Sequence, residues 1–396
     1  MLKTMSKFLK KPLFGLLALT ASCVVLSCTS NQKPASGVLV DENATDETLA
    51  LYQSLEELRG DHTMFGHQAT LAYGYHWAGD SARSDVKDVA GSFPALYGWD
   101  ILDFWQAGQT EEETDQKIQQ SLEWARQGIE RGGVLTYAWH MSNPATGKSF
   151  YDTTPAVRSI LVGGEKHDEY KKTLDMVAEY FKQLSPHPII FRPFHEHNGD
   201  WFWWGKGLVS EEHYITLWQF TVDYLKDTKG VHNLLYAFSP DRSRIDIDSF
   251  KKEYFYGYPG DDYVDIIGLD NYWDVGHPAN ETPEERQQEQ FIRSLTYTAQ
   301  IADSLGKIPA LTETGLEAIP DPDFWTDKML AALQANEWTK QITYVQVWRN
   351  ANYEREQRDH YYAPYPGQVS EEDFLKFVQT ERILLEDELP EMYSKN

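Results

Sequence analysis

The stretch Ile189-Ile190-Phe191-Arg192-Pro193-Phe194-His195-Glu196 sets a short apolar run directly against a titratable end. Short β-branched or aromatic runs of this kind occur at 64–67, 95–99, 134–140, 189–194, 234–239, 264–270, 310–313 and 344–348, which makes eight. Between them lie longer stretches, among them 121–125, 174–184, 213–225, 291–305 and 324–338, in which apolar residues return every third or fourth position. A weaker helix is expected near 85–90 and a last one over 371–385. Strand and helix in strict alternation read as repeated βα units, so the expected fold is α/β, a single (β/α)8 TIM barrel. A doubly wound sheet is the alternative, because periodicity does not reveal strand order.

The composition fits one large enclosed body. Of 396 residues 41% are hydrophobic, and 13 Trp, 23 Tyr and 18 Phe leave aromatics over for a binding surface. Lys and Arg number 36 against 61 Asp and Glu, a formal charge of −25 spread along the chain, which repels phosphate backbones. Nucleic acid and anionic membrane surfaces are therefore not expected partners, and a neutral sugar is compatible. The two cysteines, Cys23 and Cys28, both fall in the first 30 residues, leaving no thiol chemistry or disulfide for the body.

The amino terminus reads as an address. Lys3, Lys7, Lys10 and Lys11 precede an apolar run over 13–26 that is too short to span a bilayer comfortably. Val25-Leu26-Ser27-Cys28 resembles a bacterial lipobox, so residues 1–27 are expected to be a lipoprotein signal peptide and Cys28 the lipidated residue. Residues 28–40 then form a polar tether and 41–396 the catalytic domain. Such a chain is exported and touches a membrane only through its anchor; Thr29-Ser30-Asn31-Gln32, which lacks an acidic run, favours the periplasmic face. The body is expected to be a monomer.

Titratable side chains gather where the apolar runs stop: His140, then Arg192, His195 and Glu196, then Asp270 and Tyr272, then Glu313, then Trp348 and Arg349. In an α/β barrel those carboxyl ends face one shared pocket. Breaking a glycosidic bond takes one carboxylic acid to protonate the departing oxygen and a second carboxylate opposite it. Glu196 and Glu313 suit the two parts, at the ends of the fourth and seventh strands, with an expected separation of about 5–5.5 Å, the retaining geometry. Arg192 would help keep Glu313 ionised, and aromatic walls such as Trp201 would raise the pKa of Glu196. Trp201, Trp203, Trp204, Trp273 and Trp348 are candidate platforms for sugar faces, with a core role the alternative for Trp203 and Trp204. His195-Glu196-His197 does not have the four-residue spacing of a zinc helix motif, and no metal or cofactor is expected. Glu317, four residues past Glu313, falls in the loop beyond the strand and is not expected to be the nucleophile.

The segment from Phe191 through His195-Glu196-His197-Asn198-Gly199-Asp200-Trp201-Phe202-Trp203-Trp204 to Gly205 resembles the acid/base segment of glycoside hydrolase family 26. Leu311-Thr312-Glu313-Thr314-Gly315 resembles its nucleophile segment, and the likeness extends over 136–140, 268–273 and 344–350. The resemblance implies a β-mannan polysaccharide or oligosaccharide as partner, Glu196 as acid/base and Glu313 as nucleophile. It further implies His140, His195, Trp201, Asp270, Tyr272 and Trp348 as substrate-binding residues, with Tyr272 donating to Glu313; Arg192, beside the pocket, is expected among the substrate-binding residues apart from the resemblance. Within the family, a β-1,3-1,4-glucanase or β-1,3-xylanase is the alternative. From a different class, the alternative is a glycan-binding lipoprotein without catalysis, which would have no reason to pair glutamates at those strand ends.

Overall fold

Eight parallel strands close on themselves. They are β1 (Thr63–Gln68), β2 (Leu96–Asp100), β3 (Val134–Ala138), β4 (Ile189–Arg192), β5 (Leu234–Phe238), β6 (Ile266–Asn271), β7 (Ile308–Thr314) and β8 (Tyr344–Val347). Each pairs with the next, and β8 returns to β1 with Met64 opposite Tyr344 and His67 opposite Val347. This computed structural model describes residues 39–394 apart from Ser81 and residues 104–107. The expected signal peptide, Cys28 and all but the last residues of the expected tether lie outside the described residues.

Helices cover the outside, and their length follows their apolar stripe. The longest, Glu111–Glu130 and Glu284–Leu305, bury one face and leave glutamates and glutamines on the other. Thr110 begins the first of these with a reciprocal capping box to Glu113. After β5 the chain makes only short turns, the α-helical Phe250–Glu253 between the 3-10 turns Arg242–Arg244 and Asp261–Tyr263. The expected final helix ends earlier, at Val378, because Ile383–Leu384 adds as a short parallel strand beside Thr63 and Met64 of β1. Likewise the stretch expected as a helix over 324–338 runs helical only to Leu333, its first turns wound as π-helix.

The barrel lumen is divided by height. Its lower part is apolar, filled by Met64, Val134, Ile190, Leu235, Ile266, Ile308 and Ala310. The amino-terminal helix Asp46–Leu58, which the helical spacing did not single out, plugs it with Leu51, Leu55 and Leu58. Val40, buried, donates its backbone N–H to Asp265 at 2.9 Å and so ties the start of the described chain to the same floor. The upper lumen is polar. Gln346 donates to Gln68 at 2.7 Å across Gly98, where any Cβ would stand 2.1 Å from the Gln346 amide nitrogen.

Candidate active site

Two local features of the backbone aim the site. On β7 the register against β6 slips by one residue, so that Leu269 faces Leu311 and Asp270 faces Glu313. An extra residue in a strand re-aims its neighbours, and as a result the adjacent Thr312 and Glu313 both reach lumen partners. Thr312 donates to Asp270 at 2.6 Å, and Glu313 accepts from Arg192. At the end of β4, Phe194 and Glu196 both take left-handed backbone angles, φ 48° and 51°. Non-glycine residues held there cost on the order of 1 kcal/mol or more each, and such strain clusters at functional sites. It is held by packing and hydrogen bonds: Phe194 lies among Trp139, Trp203 and Trp204, and the Glu196 N–H donates to the Ser239 carbonyl at 2.9 Å.

Glu196 and Glu313 meet at the floor of a cleft of about 670 Å3, whose lining includes His140, His195, Trp201, Asp241, Tyr272 and Trp348. Oxygens of Glu196, Asp270 and Glu313 lie within 4.8 Å of one another. Glu313 is enclosed by donors, Arg192 on one oxygen and the Tyr272 hydroxyl on the other at 2.9 Å. The positive charge those carboxylates need comes from the chain itself. Arg192, 2% exposed, also donates to Asp270 at 2.8 Å and to the Ser239 hydroxyl at 3.1 Å, and although burial disfavours its charge, Asp270 and Glu313 hold it protonated. A cation among these oxygens would sit against that guanidinium.

Glu196 has the opposite surroundings. Among the described residues its side chain accepts one hydrogen bond, from Trp201 Nε1 at 2.8 Å. Burial first, then the carboxylates of Asp241, Asp270 and Glu313, push its carboxyl well above the usual glutamate range, and the Trp201 bond opposes them only in part. Asp241 is itself pushed up to about 6 by burial, against the hydrogen bonds from Ser243. It stands just past β5 and is pinned by Asn198, which accepts from its N–H and donates to its carbonyl, both at 2.7 Å. Sequence reading passed over Asp241; its signal was a carboxylate two residues past Ser239, where the fifth run stops.

Other expected site residues divide into wall and support. His140 lines the cleft, and its ring nitrogen and N–H both engage Asp100. His195 also lines it. Burial, then Arg192, His140 and His197, hold its imidazole far below the ordinary value, so it is neutral, and its buried Nδ1 has no hydrogen-bond partner among the described residues. Trp201 and Trp348 stand on the walls with Trp273.

Arg192 and Asp270 are not in the cleft lining: both are buried beneath it, where Arg192 pairs with Asp270 and with Glu313. Trp203 and Trp204 are core: their indole N–H groups donate to the carbonyls of Met141 and His195, so Trp204 braces His195 from behind. His197 turns away from Glu196 to bond the Tyr256 carbonyl at 2.6 Å and stack on Tyr214, so the two histidines flanking Glu196 do not converge. Glu317 sits on the rim paired with His360. Tyr151, Phe202, His360 and Tyr362 complete the lining from long loops whose sequence carries no periodic signal.

Fold and site together define a (β/α)8 barrel with paired carboxylates across an aromatic cleft. The chain belongs to glycosyl hydrolase family 26, which its residues 40–348 match. A mannan endo-1,4-beta-mannosidase of Bifidobacterium adolescentis is 30% identical over 94% of this chain, which spans 38% of that relative's length. A GH26 beta-mannanase from Bacteroides ovatus has a similar structure, with TM-score 0.78 and 37% identity over 89% of this chain and 98% of that one. A GH26C structure from Muricauda sp. gives TM-score 0.80 and 36% identity over 90% and 96%.

Proposed function

We propose that this protein is a retaining glycoside hydrolase that cleaves β-1,4-mannosidic bonds in mannan, glucomannan or galactomannan. The observation that carries the reaction is the pair itself, Glu196 and Glu313 with oxygens no more than 4.8 Å apart and contrasting surroundings. So close a pair leaves no room for a water between carboxylate and sugar and suits direct attack. Glu196 gives its proton to the departing glycosidic oxygen while Glu313 attacks the anomeric carbon. Glu196, now a carboxylate, takes a proton from the water that hydrolyses the glycosyl-enzyme. Arg192 and Tyr272 position Glu313, the neutral ring of His195 lines the cleft beside the sugar, and Trp201 and Trp348 stack on sugar faces. Mannan as the polymer is supported by the family and by what its similar members are named for. The test is proton NMR during digestion of a β-mannooligosaccharide: the β-anomer should appear first, and the α-anomer appearing first would overturn retention.

Two substitutions should move the basic limb of the pH profile of kcat/KM in opposite directions. A donor to a carboxylate favours its charged form, whereas a neighbouring carboxylate disfavours it. Trp201→Phe should therefore raise the Glu196 pKa and carry the limb to higher pH, with about ten-fold lower kcat/KM from the altered platform. Asp241→Asn should lower that pKa and carry the limb to lower pH.

We further infer that residues 1–27 are a lipoprotein signal peptide, that Cys28 is lipidated, and that residues 28–40 tether a monomeric catalytic domain, 41–396, to the periplasmic face of a membrane. The basic start, the short apolar run and Val25-Leu26-Ser27-Cys28 support this. Cys28→Ser should shift the protein from the membrane to the soluble fraction; unchanged partition would refute the anchor.

A further inference from the structure

The cleft continues past Trp348 into a second cavity of about 530 Å3, and the two share His140, Tyr151, Trp348 and His360. Trp348 thus stands at their junction, and His360 and Tyr362 join the lining from further along the same loop. That loop follows β8 and contains only the single helical turn Tyr353–Glu356, so side chains must fix it.

The fixing group is a carboxylate beyond the neighbouring strand β1. Asp85 opens the short helix Asp85–Ala90 and is 2% exposed, yet among the described residues no cation pairs with it. Three N–H groups from two loops take that part: the Tyr75 backbone and the Trp77 indole, each at 2.8 Å, and the Asn350 side-chain amide at 2.7 Å. The fit is close, since a Cβ on Gly74 would stand 2.3 Å from an Asp85 oxygen. Burial disfavours the Asp85 charge, and these donors oppose it. Asn350, fully buried, turns its remaining atoms on its own loop. Its carbonyl accepts from the N–H groups of Tyr362 and Ala363 at 2.8 and 3.0 Å, and its amide also donates to the Ala363 carbonyl at 3.0 Å. One side chain therefore joins the loop's start, two residues after Trp348, to its end at Tyr362, and Asp85 holds that side chain. Asp85 and Asn350 themselves line neither cavity. A buried carboxylate is expensive to keep unless its donors are in place, and the cleavage chemistry makes no use of this one.

We propose that Asp85 is a positioning residue for cleavage of the polymer: through Asn350 it holds Trp348 and Tyr362 along the path of the sugar chain. The inference rests on the mannanase reading above and adds to it a residue outside the cleft.

The test compares β-mannan with an activated aryl mannoside, which reaches the catalytic pair without running along the cleft. Asp85→Asn keeps the shape but sets an N–H against one of the three donors. Its kcat/KM on mannan should fall about ten-fold, mostly through KM, as one buried donor goes unpaired. On the aryl mannoside the change should stay below about two-fold, because Glu196, Glu313, Tyr272 and His195 all stand on other loops and strands. Exchanging the pair, Asp85→Asn with Asn350→Asp, rebuilds a hydrogen bond between them and should recover most of the loss on mannan. If thermal unfolding shows that Asp85→Asn does not fold, Trp77→Phe, which removes one donor only, takes its place and should lower the mannan-to-aryl ratio about two-fold. A ratio unchanged in the folded variant, or equal losses on both substrates, overturns this inference alone. Failure of the wild type on mannan overturns the mannanase reading and this inference with it.

Discussion

Glu313→Ala should cut mannan more slowly than the wild type by a factor on the order of 10⁴ or more, as expected when a nucleophile is removed from an otherwise intact site. The surroundings of Glu313 make the effect specific. Arg192 and the Tyr272 hydroxyl each donate to one of its oxygens, so both hold the attacking carboxylate in place. Arg192 keeps Asp270 and the Ser239 hydroxyl after the substitution, so the floor of the site retains a paired charge and the fold should survive. Glu313→Gln, which preserves shape, separates chemistry from packing and should be as inactive. Azide supplied to the alanine variant with an activated aryl mannoside should restore turnover and yield a glycosyl azide, because the small anion attacks the anomeric carbon from the vacated side. Ordinary mannan cleavage by either variant would sink the nucleophile assignment.

Glu196→Ala should divide substrates by leaving group. On mannan the loss should be about 10²–10⁴-fold, the usual contribution of a positioned general acid. On a mannoside whose leaving group needs no proton, the first step should persist and glycosyl-enzyme should accumulate, since the hydrolytic step has lost its base. The pH profile supplies a second signature. Burial and three carboxylates raise the Glu196 carboxyl, so the protonated, active form persists to higher pH than an ordinary glutamate allows and is lost as pH rises through that raised value. The wild type should therefore show a basic limb, and the alanine variant on the activated substrate should not. A basic limb unchanged in that variant would assign the acid to another group.

Much of this was open to sequence reading because it depends on local pattern. Each of the eight apolar runs overlaps a barrel strand, since a strand covered on both faces is mostly apolar except where its end lines the polar upper lumen. Errors fall where a tertiary partner overrides local preference. Residues 379–385 continue a helical composition, yet Ile383 and Leu384 pair with β1. The helix Asp46–Leu58 closes the barrel floor although its sequence gives no sign of what it covers.

The site divides in the same way. Sequence alone determined which residues stand at the carboxyl ends of strands, hence Glu196 and Glu313 as a pair, because strand alternation and barrel topology bring those ends to one face whatever the loops do. Tertiary structure alone decided what each one touches. The slipped register between β6 and β7 turns Glu313 onto Arg192, and the left-handed turn after β4 sets Glu196 beneath Trp201 and beside Asp241. Arg192 and Asp270, legible as polar strand ends, are buried against each other beneath Glu313, which strand position alone does not reveal. The arm of the cleft beyond Trp348 depends on a loop fold that no periodicity encodes. Hydrophobic pattern carries the direction of a side chain in or out of a barrel; the distance between two side chains, and so their charge states, exists only once the barrel is closed.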